Sequence, residues 1–563
     1  MKQKKTNTLF ALVLCATTLL TTLMVNINTY AQTISCQWGA TVDNSNIGRK
    51  SLAIDKFGNE YVAGNFYAPF ILVGRDTLFN HSTWTSDFYV AKYNHLGNLI
   101  WVRSVGGSQH EYAGGVTVDP MGNVLVTGTY QTSHLVIGHD TLQWGGNVFV
   151  VKYDSSGNVL WARASSGGGV ISGGITSDNE GNSYIAGYYG GAYISFGHDS
   201  LYDGFNRIEN LFITKYSPSG NVLWVKGNAN LGDGAEPTDI KSTPSGNIYV
   251  TGNFRGRMIV FGNDTLKKDR FVDNNVFTLK MDKNGNLLWD KGIGNFYNTP
   301  LPLLGIDNND NAIVYCKYVD LDFVIGTDTI AAGPGDALLV KYDSSGNLVW
   351  AKKKTYHSTT NIVNMICDPF GYFYLGGNFN KANLSFGSDS LIKNDTSALC
   401  ILKYDNDGNE VWAKGAQNSE NNTLAAIAAD DYGNIYVSGS FGGKEILLDA
   451  ITISGDTSIY QHSFLARLGG VNVGVVNTTP YINRAIVYPN PVSTIKEIHL
   501  SFPENEYSMV EIFNNIGQKL MERNIGQAES LMNLSLNNVV PGQYFIRLIG
   551  YRNCETLPLI ITK

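Results

Sequence analysis

Loops of the pattern D-x-x-G-N, which recur along most of the chain, are the first candidates for chemistry. Asp405-Asn-Asp-Gly-Asn409 and Asp282-Lys-Asn-Gly-Asn286 carry the carboxylate and amide oxygens that Ca²⁺ prefers. A calcium loop needs about six or more oxygen ligands and a bidentate acid further on, whereas here a strand pattern follows the last Asn directly. We therefore interpret these loops as turns, in which Asp accepts hydrogen bonds from the backbone two residues on.

A recurring basic residue in a strand-like segment is the second candidate. Its copies are Lys92, Lys152, Lys215, Lys280, Lys341, Lys403 and Arg467. A ring of such cations facing a channel would bind an anion. Alternatively, each stem packs in the interior and each charged head pairs with a turn carboxylate. The net charge of −7 favours the second interpretation and argues against a nucleic-acid partner.

Aromatic residues outside the repeated positions are candidates for ligand binding. They are Trp84, Trp144, Tyr188 and Tyr189. Exposed aromatic rings on loops stack well on sugars, although packing at the edge of a sheet would explain the same residues. We expect a glycan or protein ligand at these positions.

No catalytic motif accompanies these candidates. The chain lacks G-x-S-x-G, H-E-x-x-H and paired acids on one loop, and its nine histidines are scattered. We expect no cofactor and no bound metal, and the pattern favours a non-enzymatic protein. A polysaccharide hydrolase or lyase, with acids on channel-facing loops, stays open as the alternative.

The cysteines carry no metal or redox signature. Outside the N-terminal segment they are Cys36, Cys316, Cys367, Cys400 and Cys554, with no CxxC spacing. We interpret them as buried strand thiols. A Cys367–Cys400 disulfide is the alternative in an oxidising compartment.

The elements that position these residues come from an internal repeat of about sixty residues. Each copy holds an apolar strand, a D-x-x-G-N turn and a second strand ending in Gly, followed by a third strand, a second turn and a strand with Trp. Six tryptophans lie in register, at spacings of 60, 63, 65, 61 and 62: Trp101, Trp161, Trp224, Trp289, Trp350 and Trp412. Most of the 61 glycines are placed by this repeat, in turns and at strand ends.

The two ends of the repeated region complement each other. The first half of the repeat occurs seven times, but the seventh copy ends at Leu468 without its Trp strand. Trp38 lies 63 residues before Trp101 and supplies that strand at the other end. Pairing of the chain ends removes the open sheet edge. The sequence thus predicts an all-β fold, a seven-bladed β-propeller closed by the N-terminal strand.

The repeated segments resemble the SBBP-type β-propeller repeats of secreted bacterial proteins over about residues 36–470. Six copies also hold a D-[ST]-[LI] tripeptide that resembles the O-glycosylation acceptor pattern of such proteins. The resemblance implies modification at Thr77, Thr141, Ser200, Thr265, Thr329 and Ser390. A repeated turn explains the tripeptide equally well.

The N-terminus has the pattern of a secretory signal peptide. Lysines at positions 2, 4 and 5 precede an apolar stretch, and Thr29-Tyr30-Ala31 provides small residues for cleavage between Ala31 and Gln32. The apolar stretch is short for a membrane span. Removal of residues 1–31 leaves a net charge of −10.

The last eighty residues resemble a type A sorting domain of the type IX secretion system. The residues that carry the resemblance are Tyr488, Pro489, Asn490, Pro491, Gly517, Gly542, Tyr544 and Lys563. It implies a small Ig-like β-sandwich that contacts the secretion machinery and directs export across the outer membrane.

The combined prediction is a secreted or cell-surface propeller for binding or adhesion, with a scaffold role without a small ligand as a further alternative. The expected organisation is a signal peptide over 1–31, a propeller over 32–470, a linker over 471–483 and a sorting domain over 484–563.

Overall fold

The computed structural model describes residues 34–561 with interruptions. The positions left out within that range are 44, 144–146, 168–169, 203–208, 229–233, 256–257, 268–273, 297–300, 318–321, 326–327, 332, 334–335, 356–359, 381–382, 393–396, 418–419, 450, 456–460, 471–484, 489–491, 493–496, 503–506, 515–517, 527–528, 537–538 and 550–553. All regular structure in the described residues is β-strand, so the predicted all-β class is confirmed. The chain divides into two compact units, Met1–Val471 and Asn472–Lys563.

Seven antiparallel four-stranded sheets make up the described part of the first unit, and we number them in chain order. Their strands, from first to fourth, are: sheet 1, Asn46–Ile54, Glu60–Phe66, Asp87–Tyr93, Leu99–Val105; sheet 2, Glu111–Val118, Val124–Tyr130, Asn147–Tyr153, Val159–Ala164; sheet 3, Val170–Ser177, Ser183–Tyr189, Asn210–Tyr216, Val222–Gly227; sheet 4, Ala235–Ser242, Ile248–Phe254, Asn274–Met281, Leu287–Phe296; sheet 5, Leu303–Ile306, Ala312–Lys317, Asp336–Tyr342, Leu348–Thr355; sheet 6, Asn361–Cys367, Phe373–Phe379, Ala398–Tyr404, Glu410–Gln417; sheet 7, Glu420–Ala429, Ile435–Gly442, Gln461–Gly470, Ile34–Asp43.

The seven first strands contact one another in chain order, and the first strand of sheet 7 returns to contact that of sheet 1. The fourth strand of sheet 7 comes from the other end of the unit: Ile34–Asp43 pairs antiparallel with Gln461–Gly470, from Ile34 opposite Gly470 to Asp43 opposite His462. The chain end therefore covers what would be an exposed strand edge.

A short hairpin connects the second and third strands of each sheet. The pairs are Phe70–Val73 with Asp76–Phe79, His134–Ile137 with Asp140–Gln143, Tyr193–Phe196 with Asp199–Tyr202, Met258–Phe261 with Asp264–Lys267, Phe323–Ile325 with Asp328–Ile330, Asn383–Phe386 with Asp389–Ile392, and Glu445–Leu448 with Ile451–Ser454. A further short strand, Ser166–Gly167, pairs with Tyr193–Phe196. In five hairpins Gly takes the first turn position at a φ of 57° to 61°, which suits a two-residue turn.

The apolar runs form strands that are covered on both faces. In sheets 1, 2, 3, 5 and 6 the third strand is buried at all seven positions. Strands that pack between two neighbouring sheets need apolar side chains on both faces, which explains why these segments do not alternate between apolar and polar residues.

The D-x-x-G-N loops are turns, as predicted. At Asp119, one carboxylate oxygen accepts hydrogen bonds from the N–H groups of Met121 and Asn123, at 2.9 Å each, and the other accepts one from the Asn123 amide at 2.8 Å. Gly122 has a φ of 81°, which favours glycine. The carboxylate oxygens are thus used within the turn itself.

The second unit contains two antiparallel sheets around one core in its described residues. One has the strands Ile486–Tyr488, Glu497–Ser501 and Leu531–Ser535, and the other has Lys519–Asn524, Met509–Asn514, Gly542–Ile549 and Cys554–Ile561. Ile498 and Leu500 from the first sheet share a buried cluster with Val510, Ile546 and Leu559 from the second.

Cys36, Cys316 and Cys400 are buried in strands, as interpreted, whereas Cys367 is half-buried, and the alternative Cys367–Cys400 disulfide is wrong. Cys36, Cys316, Cys367 and Cys400 are free. Cys367 ends the first strand of sheet 6, opposite Phe373, which begins the second strand, whereas Cys400 lies on the third strand, opposite Gly377. Cys367 and Cys400 are therefore offset by four residues along the strands and by two strand spacings. Their Cα atoms lie much further apart than the ~7 Å that a disulfide can bridge.

Candidate functional site

The recurring basic residues have a structural role in the interior of the ring of sheets. The Lys152 ammonium lies 2.8 Å from the Asp119 carboxylate, with 2% and 1% of the two side chains exposed. Lys341 and Asp307 repeat the pair at 2.7 Å. At Lys152, Lys341 and Lys215, the last 3.8 Å from Asp178, this outcome matches the second interpretation of the basic positions, in which the charged head pairs with a turn carboxylate. Lys280 instead donates to the Ser344 carbonyl at 2.8 Å.

The repeated tryptophans join each sheet to the next. The Trp101 indole N–H donates to the Ser155 carbonyl in the following sheet at 3.0 Å, and the Lys92 ammonium donates to the same oxygen at 3.1 Å. Equivalent bonds extend from Trp161, Trp224, Trp289 and Trp350 into the following sheets, and from Trp38 to the His95 carbonyl of sheet 1.

The junction between sheets 6 and 7 departs from this pattern. The Trp412 indole nitrogen is buried and has no hydrogen-bond partner in the described part of the chain. In the other sheets the acceptor is a carbonyl of the turn between third and fourth strands. In sheet 7 the third strand instead runs straight on to Gly470, opposite Ile34. Within the described residues, the two chain ends that close the ring form no such turn, and no equivalent carbonyl accepts from Trp412 there.

Residues that do not recur between the copies are the better candidates for function, because the fold does not require them. They concentrate at the ends of the sheets where the second strand connects to the third and the fourth strand connects to the next sheet. We call this side of the first unit the connection face. Two groups of unrepeated polar and aromatic residues lie there, one between sheets 1 and 2 and one between sheets 3 and 4.

The first group, the aromatic cluster, consists of Tyr67, His110 and Tyr112, and the exposed Trp84 lies in a nearby loop, two residues before Ser86, whose N–H donates to His110 Nδ1 at 3.1 Å. The Tyr67 and Tyr112 hydroxyls are hydrogen-bonded at 2.9 Å, and the His110 and Tyr112 rings stack at 5.7 Å. Burial and the hydrogen bond with Tyr67 raise the pKa of Tyr112 to about 12. The Tyr112 phenol is therefore a neutral donor and acceptor at physiological pH.

Trp84 lies on a loop that is held in place by hydrogen bonds among the loop's own polar residues. The Asn80 amide donates to the Thr85 carbonyl at 2.9 Å, and the Thr85 hydroxyl donates to the Ser82 carbonyl at 3.0 Å. Trp84 is 91% exposed and has a φ of 69°, a strained conformation for a large non-glycine residue. Such strain concentrates at ligand-binding positions.

Two buried carboxyl groups support the aromatic cluster. Asp87 accepts from the ring and backbone nitrogens of His81, at 2.6 and 2.9 Å. Glu111 accepts from the Thr132 N–H at 3.2 Å, and burial raises its pKa. One oxygen of each carboxyl group has no hydrogen-bond partner among the described residues. Asp87 thereby orients the half-exposed His81 ring next to the Trp84 loop.

The second group, the carboxyl pair, consists of Glu209 and Glu236, joined by Arg255 and flanked by Tyr188. The Arg255 guanidinium lies 2.7 Å from Glu236 and 3.4 Å from Glu209. Burial, followed by the hydrogen bond and charge of Glu209, raises the pKa of Glu236 to about 7, against the opposing charge of Arg255.

A cavity of about 190 Å³ lies where sheet 7 meets sheet 1. Ser45, Asn46, Thr423 and Ser440 give it a polar lining. It is smaller than the ~300 Å³ at which small-molecule sites begin. None of the predicted ligand-binding residues lines it.

The predicted ligand-binding residues lie in different environments. Trp84 is exposed, and Tyr188 is half-buried beside the carboxyl pair. Tyr189 is 2% exposed in the core shared by sheets 2 and 3, so its prediction as a ligand contact is wrong. Tyr188, the preceding residue in the strand, faces the opposite way because side chains alternate along a strand. Trp144 lies outside the described residues.

Sequence reasoning missed Glu209, Glu236 and Arg255, because they are far apart in the chain and belong to no motif. Their departure from the repeat was the available signal. A backbone hydrogen bond that occurs at both junctions aligns their residues. The Glu111 N–H donates to the Ser86 carbonyl between sheets 1 and 2, and the Ala235 N–H donates to the Glu209 carbonyl between sheets 3 and 4. Ser86 and Tyr112 therefore occupy the positions equivalent to Glu209 and Glu236.

The D-[ST]-[LI] residues begin the return strand of the hairpins. Thr77, Thr141, Thr329 and Ser390 are exposed, whereas Ser200 and Thr265 are half-buried. The Asp in front ties its hairpin to the same sheet, since Asp140 accepts from the Ala162 N–H at 2.7 Å and Asp389 from the Ala413 N–H at 2.9 Å. A structural role therefore explains the Asp, and glycosylation stays a prediction.

The sorting-motif residues are partly described. Tyr488 ends a strand, Gly542 begins one, and the buried Tyr544 donates its hydroxyl to the Val540 carbonyl at 2.7 Å. Pro489, Asn490, Pro491, Gly517 and Lys563 lie outside the described residues, as do the predicted cleavage position at Ala31 and Gln32 and the rest of the signal peptide.

Comparison with known proteins identifies the class of the second unit. Residues 486–562 match the family of secretion system C-terminal sorting domains. The predicted sorting domain is therefore confirmed, and it marks the protein for secretion. No helix among the described residues has the length and apolar character that crossing a membrane requires.

The first unit has more distant similarities. The chain is 24% identical over 439 residues to an uncharacterised WD repeat-containing protein of Acanthamoeba polyphaga mimivirus, with 64% of this chain and 32% of that protein covered. The chain thus spans about a third of the length of that relative. Among solved structures it is similar to a polysaccharide lyase, an ulvan lyase, with 12% identity, a TM-score of 0.34 and coverage of 72% of this chain and 92% of that one. It is also similar to the sialidase NanB of Streptococcus pneumoniae, with 8% identity, a TM-score of 0.32 and coverage of 76% and 68%.

Proposed function

We propose that this protein is a seven-bladed β-propeller that leaves the cell through the type IX route and binds glycans at its surface. The seven four-stranded sheets, the circle of contacts between their first strands and the pairing of the two chain ends support the propeller. The repeated D-x-x-G-N turns support its assignment to the SBBP type.

The proposed route has three parts. Residues 1–31 direct the chain across the inner membrane and are cut off after Ala31. The sorting domain over 484–563, joined by the linker 471–483, then contacts the secretion machinery. The match of residues 486–562 to a sorting domain supports this order of events. The propeller is then attached to the cell surface or released.

Trp84 is the observation that carries the binding function. A fully displayed indole in a strained loop contributes no packing to the fold. The polar groups of Tyr67, His110 and Tyr112 lie on the same face, and His110 accepts a hydrogen bond from the N–H of Ser86, two residues after Trp84, at 3.1 Å. Aromatic faces beside hydroxyl and imidazole groups recognise the apolar faces and hydroxyls of sugars. A protein ligand with exposed aromatic or polar groups is the other partner that this surface fits.

Replacement of Trp84 by glycine is expected to abolish glycan binding without loss of stability. The exposed ring makes no packing contribution, and glycine adopts the positive φ freely, so the free energy of unfolding should stay within about 1 kcal/mol of wild type. Affinity electrophoresis in gels that contain laminarin, xylan, mannan or pectin measures retardation, and urea unfolding measures stability.

The matched control is Tyr432→Gly. Tyr432 is 72% exposed in a turn between first and second strands, on the side opposite the connection face. The Tyr432→Gly variant should bind glycans as the wild type does. Equal retardation of the wild type and Trp84→Gly in every gel would rule out the aromatic cluster as the binding surface.

A polysaccharide hydrolase or lyase is the second candidate, and the carboxyl pair is the observation that favours it. Two carboxyl groups that cleave glycosidic bonds normally stand roughly 5 to 9.5 Å apart. Glu209 and Glu236 both lie within ion-pair distance of one guanidinium, that of Arg255, at 3.4 and 2.7 Å. The charge of both carboxyl groups is thus engaged by Arg255, which suits a structural or ligand-binding role better than glycoside hydrolysis.

Loss of the closing strand tests the ring. Deletion of Cys36–Ala40 removes the central part of the pairing with Gln461–Gly470 and the indole bond from Trp38 to sheet 1. We expect a clearly lower melting temperature and a tendency to self-associate through the uncovered edge. Calorimetry and light scattering measure both effects, and a melting transition equal to that of the full chain would contradict the closed ring.

A further inference from the structure

Four neighbouring turns on the side opposite the connection face each carry a large exposed apolar side chain. They connect the first and second strands of sheets 6, 7, 1 and 2, which follow one another around the ring. The exposed fractions are 62% at Phe370, 72% at Tyr432, 67% at Phe57 and 82% at Met121. We call these four residues the apolar arc.

The fold does not require apolar residues at these positions. In the equivalent turns of sheets 3, 4 and 5 the same place is taken by exposed polar residues, Glu180, Ser245 and Asn309. The repeat therefore accepts a polar side chain here without loss of its turn. A contiguous exposed apolar patch of this kind, limited to one part of the ring, marks a surface that contacts a partner.

The turns hold the apolar arc in a fixed arrangement. Each of its four N–H groups donates to the Asp two residues earlier, at 2.8 to 2.9 Å. The Gly that follows each apolar residue has a φ between 75° and 86°. Neighbouring turns also touch, since a Cβ atom at Gly433 would lie 2.6 Å from the Phe370 ring. Equivalent turns place the four side chains at one level of the face, so a partner meets a surface whose backbone is already ordered.

The order of residues in the arc is symmetric about the junction between sheets 7 and 1. Pro369 and Pro120 precede the outer apolar residues, whereas Asp431 and Lys56 precede the inner ones. The two charged side chains are exposed and have opposite signs. The arc is therefore locally neutral, although the chain carries a net charge of −7, so two copies can approach on this face without mutual repulsion.

This order makes the arc complementary to itself. A two-fold axis that lies in the plane of the face and crosses the junction of sheets 7 and 1 places sheet 1 of each copy over sheet 7 of the other, and sheet 2 over sheet 6. Each Lys56 then faces Asp431 of the other copy, and apolar residues face apolar residues. A two-fold contact between identical chains requires such self-complementarity.

We propose that the apolar arc is the contact surface of a reversible two-fold dimer of this chain. Phe57 packs against Tyr432 of the second copy, and Met121 packs against Phe370. This inference goes beyond the proposed glycan binding, which uses the connection face on the other side of the ring. Four side chains from each copy form a small interface, so we expect a dissociation constant of about micromolar order.

Sedimentation velocity of the full-length protein, from about 1 to 200 µM, measures the proposed dimer. The average mass of the wild type should rise with concentration toward twice that of the monomer. Phe57→Asn with Tyr432→Asn should weaken the dimer by about tenfold or more, because exposed aromatic anchors dominate small interfaces. The double variant should still fold, since Asn309 forms the same turn in sheet 5.

The matched control is Ile392→Asn. Ile392 is 72% exposed in the hairpin of sheet 6 and lies outside the arc. This variant removes as large an exposed apolar residue and should dimerise as the wild type does. Equal melting temperatures of the wild type and both variants confirm that only association has changed.

Charge reversal tests the two-fold arrangement itself. Lys56→Asp places acids opposite acids at both ends of the contact, and Asp431→Lys places bases opposite bases. Each variant alone should dimerise about tenfold more weakly than the wild type or worse, since facing like charges are unfavourable. An equimolar mixture should recover wild-type association, because both charge pairs are complementary in the mixed dimer.

Three results would overturn the proposal. The first is a wild type that stays monomeric over the whole range, and the second is a dimer that Phe57→Asn with Tyr432→Asn leaves intact. The third is a mixture of the charge variants that stays as dissociated as each variant alone. If a monomeric wild type sediments with vesicles of phosphatidylethanolamine and lipopolysaccharide, and the double aromatic variant does not, the arc binds a lipid surface instead of a second copy.

Discussion

Deletion of residues 484–563 is expected to prevent delivery of this protein to the cell surface. The deleted segment contains the whole stretch that matches a sorting domain, and its buried cluster is separate from those of the seven sheets. The ring of sheets should still fold, because the two units have separate cores. Fractionation of cells and protease treatment of intact cells measure where each form resides.

The truncated chain should accumulate inside the outer membrane and stay protected from added protease, whereas the full chain should be degraded or found in the medium. Trp84→Gly in the full chain is the control, because it alters the ring surface and leaves the sorting domain intact. Surface exposure of the truncated chain at the level of the full chain would show that export depends on another signal.

Replacement of Asp119 by alanine is expected to cost about 3–5 kcal/mol of the free energy of unfolding, the range for removing one partner of a buried ion pair. The Lys152 ammonium would remain buried, with the Pro218 carbonyl as its described hydrogen-bond partner at 3.3 Å. Tryptophan fluorescence during urea unfolding measures the first unit selectively, because all nine tryptophans lie between Trp38 and Trp412.

The same sheet provides a matched control. Asp154 makes the same three turn hydrogen bonds, to the Ser156 and Asn158 N–H groups and the Asn158 amide, each at 2.9 Å, but it stands at the solvent-facing turn. Asp154→Ala should cost only about 1 kcal/mol, since water replaces the lost bonds. Equal losses for the two variants would assign the effect to the turn and not to the ion pair.

A double variant distinguishes the stability effect of the unpaired charge from the effect of changing the size of the buried side chains. Asp119→Ala with Lys152→Met removes both charges, and such replacements of buried pairs are often neutral. We expect it to recover most of the stability lost by Asp119→Ala alone. The Pro218 carbonyl keeps its bond from the Trp161 indole at 3.0 Å, so Lys152→Met leaves it satisfied.

The repeat made much of the fold predictable from the sequence. The G-N-x-x-W register predicted that a strand containing Trp38 completes the seventh copy, and Trp38 lies opposite Arg467 as the other tryptophans lie opposite their lysines. Turn chemistry is local, because Asp119 bonds to residues two and four positions on. Such patterns can be detected in a sequence because the interacting residues lie within a few positions of each other or recur at a fixed period.

The pairing of Lys152 with Asp119 was open between two interpretations until the strands were in place. Both residues were visible as repeated positions, but an ammonium facing a channel and an ammonium buried against a carboxylate have the same sequence pattern. The direction of a side chain depends on the register of its strand, and a shift by one residue turns it to the other face. Tyr188 and Tyr189 illustrate the same point within the predicted ligand residues.

The sequence by itself determined the all-β class, the internal repeat, the turns and the sorting domain, because each of these is written in local or periodic patterns. Only the tertiary structure decided which polar groups meet on the connection face. Glu209 and Glu236 lie on different sheets, and Arg255 joins them from beyond a further strand. Their contact depends on the angle and register at which neighbouring sheets pack, and that packing is set by many buried apolar residues jointly.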